Sequence, residues 1–582
     1  MAKGDATVQE LVDQIDRGEI RLPEMQRSYV WRATQVRDLF DSLYRGWPSG
    51  AILLWESDED VHEQQLAVSQ SRAPQGSTKL LLDGQQRLTS LSAVIRGVPI
   101  EVRGRKKPIE LLFNLDHPDT RGPASEDVVD DDDAETEDES LEIDGVEVAD
   151  ATEDEILAKM REMTFIIKVN WIAKLSNWIS VSDVFKSDDN KKFLQAAGVT
   201  SFDDPRFDLY NTRLNRLRDI KKYVYRLDTL ERTLTYDEVT EIFVRVNSLG
   251  SKLRSSDLAL AQITAKWRGS LKTFQDFEKK SAESGIKLDL GSHVRGLVIM
   301  ATNQSRFRTV GSISLDELKL AWSASEKGTN FAVNFLKANC SMPSLALMSS
   351  PFLVQALAYF GHVHNFELAD DESTQLRKWV LLANAKGRYS RGSSETLLDQ
   401  DLTTIKNGGS ALDLLNRLAG QVGRLDVIGE DLVGRNQRSS LFKTLYMAHA
   451  DDGAQDWKTG IKIRIDHSGA QDRIQFHHIF PKDLLKATYA TAEIDDIANL
   501  TFISGKTNRQ IMNDLPAKYL PKLVTDFGIA RFNHHLLPTF EPDHLTIEAY
   551  PEFLKQRRSL LVDRLNRFLG TGMPDVPSAI GE

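Results

Sequence analysis

Apolar residues recur at i, i+3, i+4 and i+7 through Val8, Leu11, Val12 and Ile15, the spacing that lines one face of a helix, and Gly18 and Pro23 end the pattern. Val36, Leu39, Phe40, Leu43 and Tyr44 repeat it, with Gly46 and Pro48 as the stop. Residues 51–55 form a short apolar run that predicts a strand. Residues 79–82 predict another, which runs through Asp83-Gly84-Gln85-Gln86-Arg87 into a helix carrying Leu88, Leu91 and Ile95 on one face, ended by Gly97. Residues 163–169 read as a strand. Thr235 with Glu238 forms a capping box for a helix that buries Val239, Ile242, Phe243 and Val246 and ends in Asn247-Ser248-Leu249-Gly250. From 255 to 450 the spacing is helical almost throughout, and the last 130 residues return to a mixed pattern.

This predicts an α+β multidomain chain: an α+β region over 1–254 interrupted by an insert at 124–157, a helical connector over 255–440, and a mixed domain over 441–582. A length of 582 residues is too great for one hydrophobic core. A composition of 41% hydrophobic and 27% charged residues excludes a largely disordered or fibrous chain. The formal charge of −12 argues against a nucleic-acid partner only until its distribution is seen. Residues 126–155 hold 17 Asp or Glu and no Lys or Arg, so taking those 17 charges from −12 leaves +5 on the rest. That run reads as a solvated insertion loop, with a DNA-mimicking or autoinhibitory flap as the alternative. Cys340 is the single cysteine, which excludes an intramolecular disulfide and a cysteine-based zinc site and leaves N and O ligands for any metal. No targeting pattern near Met1 and no window of about 20 apolar residues is found, so a cytoplasmic protein without a membrane partner is expected.

Candidate chemistry concentrates toward the C-terminus. Residues 473–481 (RIQFHHIFP) alternate like a strand, 497–503 supply a second, and Gly505-Lys506-Thr507-Asn508 starts a helix. Hydrolysis of a phosphodiester needs a water made nucleophilic and a charge neutralised at the leaving oxygen; a neutral imidazole and a divalent ion supply these. Adjacent strand residues point to opposite faces, so His477 and His478 cannot share one task. Strand, loop, strand and helix carrying His-His, Asn and Asn resemble the HNH (ββα-metal, His-Me finger) nucleases. By that resemblance His477 is a metal ligand, His478 the general base, Asn499 the residue that orients the base by hydrogen bonding, and Asn508 the helix residue that completes the metal site. Such a set favours Mg2+ or Mn2+ over tightly held zinc. Asn508 departs from the more usual helix His, and Asn513 is the poorer alternative. His534-His535 lacks a following strand and Asn-bearing helix, His362 and His364 do not share a helix face, and Gly505-Lys506-Thr507 lacks the first Gly of a P-loop, since Leu500 stands there.

Two clusters stand out near the N-terminus: Gln26-Arg27-Ser28-Tyr29-Val30-Trp31, and Asp83 to Arg87 at a strand-to-helix turn. Gly84 permits a close backbone approach, the following helix start offers amides, and Arg27 and Arg87 add guanidiniums suited to phosphate. From the residues alone, an anion site and a polar core network are equally good readings. These blocks, with Ile242-Phe243-Val244-Arg245-Val246-Asn247-Ser248-Leu249-Gly250, resemble the N-terminal domain of GmrSD-type modification-dependent restriction endonucleases. The resemblance implies a ParB/sulfiredoxin-like fold that hydrolyses GTP or another nucleoside triphosphate. It implies an antiphage DNA endonuclease or nickase, a metal-binding restriction hydrolase acting on modified or phage DNA, joined to an HNH domain. In it, Gln26, Arg27, Tyr29 and Trp31 match the motif that reads a modification, and Asp83, Gln86, Arg87, Arg245 and Asn247 match the nucleotide-associated motifs, with Asp83, Gln86 and Arg87 catalytic. SspE-type phosphorothioate-sensing effectors are similar single-chain fusions; phosphorothioated and glucosylated DNA stay open as targets, and a homo-oligomer is compatible. The competing readings are a ParB-like nucleotide-switched DNA clamp without nuclease activity, and a toxin-like RNA nuclease.

Overall fold

The computed structural model describes residues 2–26, 29, 31–57, 63–66, 68–70, 78–100, 102, 108–118, 142–143, 146–147, 160–168, 175–249, 254–283, 285–390, 392–464, 474–511 and 513–571. It has a mixed α+β composition and divides into two compact units, Met1–Leu271 and Lys272–Glu582. Most of the acidic run lies outside the described residues.

The first unit is built on a six-stranded sheet. Its strands are β1 (Ala2–Thr7), β2 (Ile20–Pro23), β3 (Ile52–Glu56), β4 (Glu63–Gln64), β5 (Lys79–Asp83) and a later strand, Val224–Leu230, in the order β1, Val224–Leu230, β3, β5, β2, β4. The central strands β3 and β5 are antiparallel, and each pairs in parallel with its other neighbour. Helices α1 (Val8–Asp16), α2 (Ala33–Arg45) and α3 (Gln85–Arg96) bury their apolar faces in the first core cluster. A smaller antiparallel sheet, Leu111–Asn114 between Phe165–Ile167 and Trp178–Ser180, joins the same cluster.

The run Leu80-Leu81-Leu82 of β5 shows why three consecutive leucines make a strand here. Side chains alternate across a sheet, so a strand covered on both sides is apolar at every position. Leu81 enters the cluster under α1 to α3, while Leu80 and Leu82 enter a second cluster with Trp55, Leu230, Tyr236, Val239 and Phe243. The last three belong to α4 (Tyr236–Leu249), whose start is held by the reciprocal bonds of Thr235 and Glu238.

The second unit is helical from α5 (Leu290–Thr302) through α6 (Leu315–Cys340), α7 (Phe352–Val363), α8 (Asp370–Ala385), α9 (Ser394–Lys406), α10 (Ala411–Val422) and α11 (Ser440–Asp451). Strands β6 (Ile474–His478) and β7 (Leu500–Ser504) then pair antiparallel, and α12 (Gly505–Ile511), α13 (Pro516–Phe527) and α14 (Tyr550–Leu569) follow. One hydrophobic cluster runs from Ile286 to Leu569, through the helices and under the strand pair. Among the described residues, no helix is long and apolar enough to cross a membrane.

Candidate functional site

The pairing of β6 with β7 sets His477 opposite Thr501 and His478 opposite Leu500. Alternation turns Gln475 and His477 to the side on which α12 lies. There Asn508 Oδ1 stands 2.8 Å from His477 Nδ1, and Asn508 Nδ2 donates to Gln475 Oε1 at 2.9 Å. His477 is only 3% exposed, and Trp457 and Tyr519 meet its ring edge-on. Burial lowers its pKa to about 4, so the imidazole is neutral at pH 7. The Tyr519 hydroxyl donates to Ile479 O at 2.8 Å and lies 3.4 Å from His477 Nε2. An amide oxygen can only accept, so His477 Nδ1 carries the hydrogen and donates to Asn508 Oδ1, which leaves the Nε2 lone pair toward the Tyr519 hydroxyl.

His478 faces the other way. Its Nε2 lies 2.9 Å from Asp495 Oδ1, and Lys482 Nζ meets the same oxygen at 2.9 Å. The His478 bond, reinforced by Lys482 against the opposing effect of burial, holds the Asp495 carboxyl at about 2. Both side chains keep partial access to solvent, 21% for His478 and 27% for Asp495.

Asn499 is fully buried and bonds to backbone. Its Oδ1 accepts Phe480 N–H at 2.8 Å, and its Nδ2 donates to Phe480 O and Ile494 O, both at 3.0 Å. The motif led to the expectation of a hydrogen bond from Asn499 to the base; its carboxamide is instead spent on the backbone of Phe480 and Ile494, and the partner of the His478 ring is Asp495. Arg557 of α14 donates to Ala498 O and Leu500 O at 2.7 Å on either side of it. Asp496 points away from His478, accepting from Gly434 N and Ala498 N and pairing with Arg558 at 2.6 Å. Asp456 secures the β7-to-α12 turn through Ser504 N–H and the Thr507 hydroxyl, both at 2.7 Å. Burial pushes its carboxyl up, but the amides of Ser504 and Thr459 and the two hydroxyls outweigh this and hold it below the usual range.

The residues that the motif did not reveal are thus Asp495, Lys482, Tyr519, Asp456 and Arg557. The Asp495-Asp496 pair just before Asn499 was the available signal; Tyr519 and Arg557 had none. His535 bonds Thr501 Oγ1 at 2.9 Å and Gln455 O at 2.7 Å as a buried tie between loop and strand. Among the described residues, no three His, Cys, Asp or Glu side chains gather in a way that could hold a metal ion.

In the first unit the two N-terminal motifs form one cluster. Gln26 Nε2 donates to Leu81 O at 2.5 Å and Leu82 O at 2.7 Å; the Tyr29 hydroxyl meets Ser90 Oγ at 2.8 Å; and Trp31 N–H donates to Gln86 Oε1 at 3.2 Å. Arg87 donates to Ser49 O, to Ala51 O at 2.9 Å and to Asp83 Oδ2 at 3.0 Å, with its guanidinium over the Tyr225 ring. Much of its donor capacity is used to tie α3 to the loop before β3, while Asp83 stays partly exposed. Gly84 adopts φ +98°, and a Cβ there would lie 2.4 Å from Ile52 Cδ1, so the turn requires glycine. Arg245 pairs with Glu241 one turn earlier on the exposed face of α4. Arg27 and the side chain of Asn247 lie outside the described residues.

Residues 8–264, which fall within the first unit, match the family model described as the GmrSD restriction endonuclease N-terminal domain. That class of DNA-acting restriction enzymes is the one to which the strand-turn-helix cluster is similar. Over 551 residues the chain is also 22% identical to an uncharacterized protein of Methanocaldococcus jannaschii, an alignment that takes in 88% of this chain and 86% of the archaeal one.

Proposed function

We propose that the chain is a metal-dependent DNA endonuclease of a restriction-type defence system. In this reading the N-terminal domain senses DNA modification through Gln26, Arg27, Tyr29 and Trp31. It also binds and hydrolyses a nucleoside triphosphate such as GTP through Asp83, Gln86, Arg87, Arg245 and Asn247, and the His477–Asn508 site nicks or cleaves. The observation that carries the reading is the meeting of His477 Nδ1 with Asn508 Oδ1 at 2.8 Å on a strand-strand-helix frame, with His478 turned to the opposite side.

The donor chemistry fits a divalent cation. Two ligands about 2.1 Å from an ion and at right angles stand roughly 3 Å apart. Asn508 Oδ1 and the neutral His477 ring meet at nearly that spacing, and the ring would offer its Nδ1 lone pair to the ion once the ring hydrogen moves to Nε2; His477 is buried and Asn508 half-buried. His477 and Asn508 would hold the ion, with Gln475 as the oxygen that fixes the Asn508 carboxamide. When bound, it supplies a positive charge opposite the leaving 3′-oxygen. The chain's own residues do the rest. His478 accepts the proton of the attacking water. Asn499 and Arg557 fix the segment that closes over the site, and Trp457 and Tyr519 exclude water from behind His477.

The match of residues 8–264 to a restriction endonuclease domain supports DNA as the partner. The test is plasmid nicking by the full chain in Mg2+ or Mn2+, on unmodified, phosphorothioated and glucosylated DNA with each triphosphate in turn. His478→Ala is expected to abolish nicking while DNA binding and triphosphate turnover persist. Nicking that survives this change in every metal would overturn the assignment.

A further inference from the structure

We propose that Asp495 is a positioning residue for His478: its carboxylate holds the ring in the Nε2–H tautomer and leaves Nδ1 as the nitrogen that takes the proton. The inference rests on the nuclease reading above and adds a residue and an atom to it.

The geometry points to a device and not to a chance surface pair. A carboxylate is an acceptor only, so at 2.9 Å from Asp495 Oδ1 the His478 Nε2 must carry the hydrogen. An imidazole neutral at one nitrogen has its lone pair on the other, which makes Nδ1 the base. Asp495 is itself constrained, because Lys482 Nζ meets the same Oδ1 at 2.9 Å. The segment carrying Asp495 is pinned on both sides. Asp496 is drawn away by Arg558, Gly434 and Ala498, and Asn499 is tied to Phe480 and Ile494. Arg557, fully buried, grips the carbonyls on either side of Asn499. Among the described acids near it in sequence, Asp495 is the one aimed at the histidine, and the segment that aims it is held at Ile494, Asp496, Ala498, Asn499 and Leu500. Carboxylates that orient a functional imidazole act in this way, by fixing tautomer and ring angle. Neither bond nor proton is transferred to Asp495 in the step.

The experiment uses the full chain with 15N-labelled histidine, in wild type, Asp495→Asn, Asp495→Glu and Lys482→Met. The His478 ring signals are identified by their loss in His478→Gln. In wild type without added metal, long-range proton–nitrogen spectra should show the Nε2–H tautomer, and in Asp495→Asn the Nδ1–H form should gain population. A wild-type Nδ1–H ring, or a tautomer unchanged in Asp495→Asn, overturns the proposal whether or not the protein nicks DNA. In nicking assays, Asp495→Asn should lower kcat by about 10- to 100-fold with KM for plasmid unchanged. Asp495→Glu should recover part of that loss, and Lys482→Met should cost less than Asp495→Asn. If His478→Ala abolishes nicking and Asp495→Asn does not slow it, the positioning role fails and the nuclease reading stands. If His478→Ala nicks like wild type, the nuclease reading fails, and the ring spectra alone decide what Asp495 does.

Discussion

An imidazole that is nearly inaccessible and flanked by Trp457 and Tyr519 stays neutral at pH 7, and the nitrogen that keeps the hydrogen is the one that meets an acceptor. At His477 that acceptor is Asn508 Oδ1, and the Nε2 lone pair faces the Tyr519 hydroxyl. Replacing Asn508 by Ala should raise the Mn2+ or Mg2+ concentration needed for half-maximal nicking by at least about tenfold, with the circular dichroism spectrum unchanged. A metal requirement equal to that of wild type would remove Asn508 from the site. His477 and Asn508 were readable because residue type and spacing within strand and helix announce them. Asp495 was marked only by its place in the Asp-Asp pair before Asn499, which does not say which of the two carboxylates meets a histidine 17 positions away. Elsewhere a single residue carries a structural load that the sequence hides. Asp401 is fully buried and takes two bonds from Arg388 and one from the Tyr389 hydroxyl. Asp401→Ala leaves a buried cation unpaired and should destabilise the second unit by about 3–5 kcal/mol in urea titration, whereas replacing both Arg388 and Asp401 by apolar residues should recover most of it.

Elements were recovered where one physical rule dominates. The helix faces of α1, α2 and α3 bury the residues that their spacing names, and Gly46 and Gly97 end their helices with φ of 76° and 62°. Residues 497–503 were read as one strand; the structure makes Ile497–Asn499 a 3₁₀ turn and begins the strand at Leu500, because Asn499 turns inward to bond the Phe480 backbone. The strands Ala2–Thr7 and Val224–Leu230 went unread, since the first is exposed at four successive positions and the second mixes charged and apolar residues without a clean alternation. Neither pattern can be told from a loop. At the β5-to-α3 turn, Gly84→Ala places a Cβ in a left-handed residue against Ile52, and thermal unfolding of the first unit should begin at least about 2 °C lower. An unchanged melting curve would show that Ile52 yields at no cost.

On the scale of the whole chain, periodicity separates residues 255–440 from 441–582, but packing follows apolar contact, and one cluster spans Ile286 to Leu569. The family match covers residues 8–264 of the other unit, where Gln26, sixty positions before Gln86, is bonded to the strand that leads through the turn into the helix carrying Gln86. The second unit also has a common liability. Burial lowers the pKa of His293, His477 and His535 to about 4 each, and holds that of His449 well below its usual value. Unfolding returns them to about 6.5, so the unfolded chain binds more protons and stability drops as pH falls from about 6.5 toward 4. The slope is up to about 1.4 kcal/mol per pH unit for each proton taken up. Asp456 and Asp495 have depressed values, and their stabilisation is lost only at lower pH, so they do not offset the loss in this window. The urea midpoint of this unit should therefore be clearly lower at pH 5 than at pH 7.5; equal midpoints would contradict the neutral burial of these rings.

The leucines of β5 divide between two separate apolar clusters, and this decides where any movement of the first unit can begin. A strand gripped from both faces is the last to open, so the amides of Leu80 to Leu82 should exchange with deuterium only when the entire unit unfolds. Asp83 to Arg87 are mounted on that anchor. A signal arriving there would have to be answered by neighbours swinging about a fixed post, and the turn itself would serve as the fulcrum.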